Sequence, residues 1–260
     1  MTGSYAYSLI RDWHRHLSFR SILRYRNGLR RRSREPIAVT LLRPARMSVH
    51  IRPMQSDLDV LDEIFVKDVY GVVKRLVPDC RRIIDLGGNI GLAARYFGTA
   101  YPDSTILSVE PFSENIEVMR RNLGGLVSAG RCRILQAAAW DKNEAVEICR
   151  PKDPNKLCGL FVQSLGEPDD SRMSAPGLPM ASILEASGFD MVDLVKIDIE
   201  GAERAVFQQA DWLHQVRALA IEFHGSSRQE IGFDALMKRY GFRVLEDGNH
   251  TTVAVKGAPA

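Results

Sequence analysis

The 260-residue chain reads as an α/β protein of the doubly wound type. Three observations predict this class. From residue 82 onward, short runs rich in Val, Ile and Leu alternate with helical patterns, the rhythm of a parallel sheet covered by helices on both faces. A glycine turn, Gly87-Gly88-Asn89-Ile90-Gly91, follows the first of those runs. Acidic residues stand at the ends of several runs, where open α/β sheets bind their ligands.

The length suits one full α/β domain with a short appendage. With 45% hydrophobic and 26% charged residues, the composition is that of an ordinary globular protein. No apolar run reaches the length of a bilayer crossing. The start, Met1-Thr-Gly-Ser, lacks the basic-then-apolar order of a secretory signal, so the expected location is cytoplasmic. Cys80, Cys132, Cys149 and Cys158 form no CxxC pair and read as reduced thiols. Charge is unevenly spread. Residues 1–46 hold 11 Lys/Arg against 2 acids, leaving 24 basic and 30 acidic residues in the body.

The elements follow in order. In the basic arm, Leu9, Ile10, Trp13 and Leu17 keep helical spacing with Arg11, His14 and Arg15 between them. Two readings stand: a basic amphipathic helix lying on an anionic surface, or a helix docked on the domain or a second subunit and followed by a solvated Arg run near 30–34. The second is preferred. The arm lacks the aromatic interleaving of a nucleic-acid surface, so no nucleic-acid partner is expected, while peripheral membrane contact and a homodimer stay open. Residues 37–42 and 47–52 read as a hairpin. Asp57 is expected to cap a helix running to about Leu76. Residues 1–56 thus form an arm-and-hairpin extension, and 57–260 the main domain.

Strands are predicted at Arg82–Leu86, Thr105–Glu110, Arg133–Ala139, Leu194–Ile199, Arg217–Phe223, Arg243–Leu245 and Thr251–Val255. Helices are predicted over Ile90–Tyr101, Ser113–Leu123, from Gly201, and over Gln229–Tyr240. The stretch 150–180, rich in Pro, Gly, Asp and Ser, reads as a long loop and a candidate substrate lid.

The glycine turn carries the sharpest chemical signal. Ile83-Ile-Asp-Leu-Gly-Gly-Asn-Ile-Gly91 ends a strand in Asp85 and opens a helix whose N-terminus favours an anionic group. The dinucleotide pattern GxGxxG fails at Asn89 and Leu92, and the phosphate loop fails for want of Lys after Gly91. What remains is Asp-x-Gly-x-x-x-Gly, the first motif of class I S-adenosylmethionine enzymes, with Asp85, Gly87, Asn89 and Gly91 serving the methionine end. Twenty-five residues beyond Asp85, Val109-Glu110-Pro111 places an acid to accept from both ribose hydroxyls. Ala138 ends the third strand in a small residue against which adenine could lie flat; Trp140 reads as core.

The fourth strand, Val192-Asp-Leu-Val-Lys-Ile-Asp-Ile-Glu-Gly-Ala-Glu203, alternates Lys196, Asp198 and Glu200 with apolar residues. Period two puts these charges on one face, and burying them without partners would cost several kcal/mol. The next strand ends Ile221-Glu-Phe-His224, so Asp198, Glu200, Glu222 and His224 are expected at one rim.

Together, Asp85-Leu-Gly-Gly-Asn-Ile-Gly and Val195-Lys-Ile-Asp-Ile-Glu-Gly-Ala-Glu resemble the FkbM family of methyltransferases, with Ile51-Arg-Pro-Met-Gln-Ser-Asp-Leu-Asp-Val and Ile221-Glu-Phe-His similar to its flanking segments. The resemblance covers roughly residues 45–255. It implies a mostly parallel seven-stranded Rossmann-like sheet and methyl transfer from S-adenosylmethionine to a hydroxyl of a sugar, polyketide or other natural-product scaffold.

An alcohol must lose its proton as its oxygen attacks. His224, which titrates near neutrality without special help, is the expected base, or Asp198 if the two act as a pair; Glu200 would hold the acceptor. A less favoured variant has Asp198, Glu222 and His224 hold Mg²⁺ against a diol. An N- or carboxyl-methyltransferase also stays open. A nicotinamide oxidoreductase is disfavoured by the missing third glycine, and a non-catalytic binding module by the acids at 85, 110 and 198.

Overall fold

The computed structural model describes residues 13, 16–43, 46–149, 161–164, 173–246 and 251–257. The arm's Leu9, Ile10, Arg11, His14 and Arg15 lie outside them. Trp13 and Leu17 are buried, and helix α1 begins at Phe19 and runs to Arg30. Ser18 caps it, its hydroxyl accepting from the Ser21 N–H at 3.3 Å.

The helix lies C-terminal to the segment expected to be helical, most of which is outside the described residues, and it docks on the hairpin. Strands β1 (Ile37–Leu41) and β2 (Met47–Ile51) pair antiparallel from Ile37 opposite Ile51 to Leu41 opposite Met47. The Thr40 N–H donates to Ser21 Oγ at 2.7 Å. Gly28 closes against Pro53, where a side chain would collide with the proline ring. Val39, Leu41, Val49 and Ile51 join Ile83, Phe97, Met119 and Leu123 in one apolar cluster, so the extension packs into the core beside the main sheet. Arg31, Arg32 and Arg34 are exposed.

The expected helix 57–76 is broken. Helix α2 (Asp57–Leu61) widens into a π-turn over Asp62–Val66, and α3 (Gly71–Leu76) starts afresh beyond Asp68, whose φ is +54°. Asp57 does not cap the helix, because Arg52 engages its carboxylate.

The central sheet begins with β3 (Arg82–Leu86), followed by α4 (Leu92–Ala100), β4 (Thr105–Val109), α5 (Ser113–Ser128) and β5 (Cys132–Leu135). After β5 the chain leaves this sheet. The predicted strand Arg133–Ala139 is two pieces, because β6 (Ala138–Ala139) pairs elsewhere. With β7 (Glu144–Cys149), β8 (Phe161–Ser164) and β9 (Met173–Leu178) it forms a second, four-stranded sheet of order β6-β9-β7-β8. The stretch expected to be loop therefore holds two strands; residues 150–160 and 165–172 lie outside the described set. Pairing with β7, whose alternation had not been read as a strand, holds them there.

Helix α6 (Met180–Ser187) leads back to β10 (Leu194–Ile197) in the central sheet. Then come α7 (Glu203–Phe207), β11 (Ala218–Glu222), α8 (Ser227–Ile231), α9 (Phe233–Arg239), β12 (Phe242–Glu246) and β13 (Thr251–Lys256). The helix predicted over 229–240 is two, divided at Gly232 with φ +63°.

The central sheet has seven strands in the order β12-β13-β11-β10-β3-β4-β5. Pairings from β11 through β5 are parallel, and β13 runs antiparallel to both β11 and β12. One face carries the cluster containing Ile83, Phe97 and Leu123; the other buries Ile84, Leu107, Val195, Phe207, Leu219 and Phe233. The chain steps outward from β3 to β5, then returns to β10 on the other side of β3. That reversal opens a crevice at the carboxyl ends of β3 and β10. Among the described residues no helix is long and apolar enough to cross a membrane. Cys80, Cys132 and Cys149 are free thiols, and burial pushes Cys80 and Cys132 up to about 12. Cys158 lies outside the described residues.

Candidate active site

A cleft of about 410 Å³ occupies the crevice. Beneath it a row of polar groups runs across three strands in register: Ser108 on β4, Asp85 on β3 and Lys196 on β10. The Ser108 hydroxyl donates to Asp85 Oδ2 at 2.8 Å, and Lys196 Nζ lies 3.2 Å from Asp85 Oδ1. Lys196 also donates to the carbonyls of Leu86 (3.1 Å) and Gly87 (2.7 Å) and stands 3.6 Å from Asp198. Burial alone would lower the ammonium's pKa, but Asp85 and Asp198 raise it well above the ordinary lysine value. It is a permanent cation that ties the two turns together.

Asp85 is fully buried and does not line the cleft; it lies beneath the glycine turn, committed to Lys196 and Ser108. It supports the glycine turn from below. The glycines have a packing reason of their own. A Cβ on Gly87, whose φ is +72°, would fall on the carbonyl oxygen of Asp198. One on Gly88 would strike Ser108 Oγ, and one on Gly91 would press on Met119 and Leu123. Close approach of protein to protein, as much as room for a ligand, demands glycine here. Gly91 does not line the cleft, whereas Gly87, Gly88 and Asn89 do.

Glu110, Pro111 and Ala138 all line the cleft as expected. Glu110 is almost fully buried, and its carboxylate is already well used. Oε1 accepts from the Phe112 N–H (3.0 Å) and Asn115 Nδ2 (3.1 Å), and Oε2 from the Asn89 N–H (2.8 Å). A carboxylate offers about four acceptor positions. These three bonds leave one such position open toward the cleft. Burial raises the Glu110 pKa against the pull of those three hydrogen bonds and of Lys196.

Behind Glu110 stands a chain of contacts that sequence reasoning missed. Arg52, at the end of the hairpin, pairs bidentately with Asp57 (Nε to Oδ2 3.0 Å, Nη2 to Oδ1 2.9 Å) and donates to Asn115 Oδ1 at 2.9 Å. Asn115 in turn donates to Glu110. Trp140 does not line the cleft; its indole donates to Glu144 Oε1 at 2.8 Å.

The acidic rim forms where β10 ends. The strand stops at Ile197, and left-handed Glu200 (φ +52°) and Gly201 (φ +98°) turn the chain back. That turn brings Asp198 and Glu200 to His224, which follows β11. His224 Nε2 lies 3.4 Å from Glu200 Oε2 and 3.8 Å from Asp198 Oδ1, and Nδ1 donates to Glu203 Oε1 at 2.7 Å. Fully buried Glu203, which the sequence reading had left out of the site, fixes the imidazole's orientation. The three predicted catalytic residues are thus brought together, each partly exposed to the cleft. Their ionisation differs from expectation. The hydrogen bond to Glu203, opposed by burial and aided by Glu200 and Asp198, raises His224 to about 9, so it is an imidazolium at neutral pH. Burial raises Glu200, partly offset by His224.

The candidate ligand set also changes. Atoms of Asp198, Glu200 and His224 lie within 4.8 Å of one another, so Glu200 takes the place expected of Glu222.

Comparison with known proteins supports a common family. Residues 85–244 match the methyltransferase FkbM domain. The chain is 27% identical to the methyltransferase sdnD of Sordaria araneosa over 216 residues, covering 72% of this chain and 83% of that protein. It is 24% identical over 223 residues to the AMB antimetabolite synthetase AmbE of Pseudomonas aeruginosa, where the match spans 10% of the larger protein. Among solved structures, an FkbM methyltransferase of Methylobacillus flagellatus KT is similar at TM-score 0.48 and 18% identity, over 68% of this chain and 44% of that one.

Proposed function

The chain belongs to the FkbM methyltransferase family, and from that premise we propose that it moves the methyl group of S-adenosylmethionine to a hydroxyl of a natural-product-type small molecule such as a sugar or polyketide. One observation carries this reading: the Asp198–Glu200–His224 cluster opens into the same cleft as Glu110 and the glycine turn. The residues present suit the donor. Glu110 keeps an acceptor position for a ribose hydroxyl, Gly87, Gly88 and Asn89 line the cleft, and Ala137, Ala138 and Ala139 give a wall without bulk. When bound, S-adenosylmethionine supplies a methyl group already activated as a sulfonium, leaving alignment and proton removal to the protein.

Proton removal falls to the rim. Glu203 holds the imidazole of His224 by Nδ1, so Nε2 faces Asp198, Glu200 and the cleft. His224 serves as base only in the fraction that has lost its proton, about one molecule in a hundred at pH 7. A positive charge entering the cleft enlarges that fraction. Glu200 and Asp198 hold the acceptor hydroxyl. The kinship with sdnD and with a region of an antimetabolite synthetase supports a small-molecule acceptor.

A second reading rests on the same cluster. Two carboxylates and an imidazole within 4.8 Å could hold a divalent cation against a diol. The raised pKa of His224 opposes it, since an imidazolium is not a ligand.

Calorimetric titration with S-adenosylhomocysteine tests the proposal, using wild type and Glu110→Ala. Micromolar binding weakened in the variant fixes the donor. Hydroxylated acceptors are then screened with EDTA or added Mg²⁺, and activity that survives EDTA removes the metal reading. A folded wild type that binds no S-adenosylhomocysteine sinks the assignment.

A further inference from the structure

The methyltransferase reading leaves helix α1 without a task. Its inward residues, Ser21, Tyr25 and Gly28, dock on the hairpin, and Tyr25 donates to the Pro53 carbonyl at 3.4 Å. Its outward face is unusual. Phe19 and Leu23, one turn apart, are 74% and 44% exposed, and Leu42, whose N–H donates to the His16 carbonyl just before the helix, is 40% exposed. At 100° per residue, Arg26 and Arg30 fall within about 20° of Phe19, and Arg20 flanks the pair. The helix contains no acidic residue, and exposed Arg31 and Arg32 continue the basic surface.

A helix needed only for docking turns polar residues to water. This one sets two large apolar side chains in the centre of its solvent face, among arginines whose aliphatic stems reach outward. Such a face is complementary to one kind of surface: apolar just below a layer of negative charge. We propose that α1 docks the protein on an anionic lipid surface, with Phe19, Leu23 and Leu42 entering the interface and the arginines meeting headgroup phosphates. A nucleic acid would satisfy the arginines but leave Leu23 and Leu42 without apolar partners. A second copy of the chain would bring a second all-basic helix against the first. The lipid surface meets both features.

Co-sedimentation of the full chain with vesicles tests this. Vesicles of phosphatidylcholine alone are compared with vesicles containing about 30% phosphatidylglycerol, at low salt and at 0.5 M NaCl, a range over which screening removes surface charge attraction. The expected result is binding to the anionic vesicles only, released by salt, and at least tenfold weaker in Phe19→Ser/Leu23→Ser. Binding of S-adenosylhomocysteine by that variant, equal to wild type, shows that the fold is kept. Three results overturn the proposal: no binding to anionic vesicles, undiminished binding by the double variant, or loss of the exposed face into a dimer by sedimentation equilibrium. Preferential binding of an oligonucleotide that the double substitution leaves unchanged overturns it as well.

Discussion

Glu203→Gln keeps the size of the side chain and an oxygen that can face His224, and removes only the charge. The hydrogen bond to that carboxylate is the largest cause of the imidazole's rise from 6.5 to about 9, and its charge adds to it. The difference amounts to roughly 3 kcal/mol in favour of the protonated ring, and nearer 2 kcal/mol once solvent screening at this partly exposed site is allowed for. Burial, which works against the proton, stays in place, so the variant's imidazole should titrate at least one pH unit lower. The sign for stability follows. Since the folded state holds this proton more tightly than the unfolded chain, the stabilisation is complete below pH 6.5 and is lost as pH rises through about 9. At pH 7 the variant should be about 1–2 kcal/mol less stable than wild type, and the gap should close or invert above pH 9. The assay is NMR titration of the imidazole resonances, with His224 assigned from the spectrum of His224→Gln, alongside urea unfolding at pH 7 and 9.5. A wild-type His224 that titrates near 6.5, or one that Glu203→Gln leaves unmoved, refutes the reasoning.

Lys196→Met should cost about 3–5 kcal/mol by urea unfolding, because Asp85 is left buried without its cation; adding Asp85→Asn should recover most of the loss. Gly87→Ala should lower stability by on the order of 4 kcal/mol, since strain at φ +72° adds to a collision with the Asp198 backbone. Gly130→Ala, at φ +69° but in open space, should cost only about 1–2 kcal/mol by thermal melting. Asn115→Ala should weaken S-adenosylhomocysteine binding roughly five- to tenfold by calorimetry, the worth of about one hydrogen bond, by releasing Glu110 from Arg52. The pH profile of kcat/KM should rise toward about 9, following deprotonation of His224, and its midpoint should move down in Glu203→Gln.

The central sheet was legible because buried parallel strands are short apolar runs bounded by glycine and charge. Arg82–Leu86 is found as predicted, and Thr105–Val109 and Ala218–Glu222 within a residue at each end. Asp198, Glu200 and His224 were legible because acids and a histidine at neighbouring strand ends have few structural uses. What escaped was set by partners distant in sequence. Glu144–Cys149 is a strand because Met173–Leu178 pairs with it, a relation no local pattern carries. The pairing of Asp85 with Lys196 likewise joins residues far apart in sequence, and His224 reads as neutral until Glu203 is seen beneath it. Arg52 looks like a surface residue of a hairpin, and only the fold makes it the support of Asn115.

The contact between Gly87 and the carbonyl of Asp198 leaves no slack between the two turns. Lys196, clamped to both, closes the remaining freedom. Any breathing of the cleft must therefore come from its sides: the segment around the π-turn, which contributes Glu63 and Ile64, and the small sheet, which contributes Ile148 and Val162. Substitutions that stiffen these flanks should therefore slow exchange of whatever binds while leaving the arrangement of charges beneath it untouched.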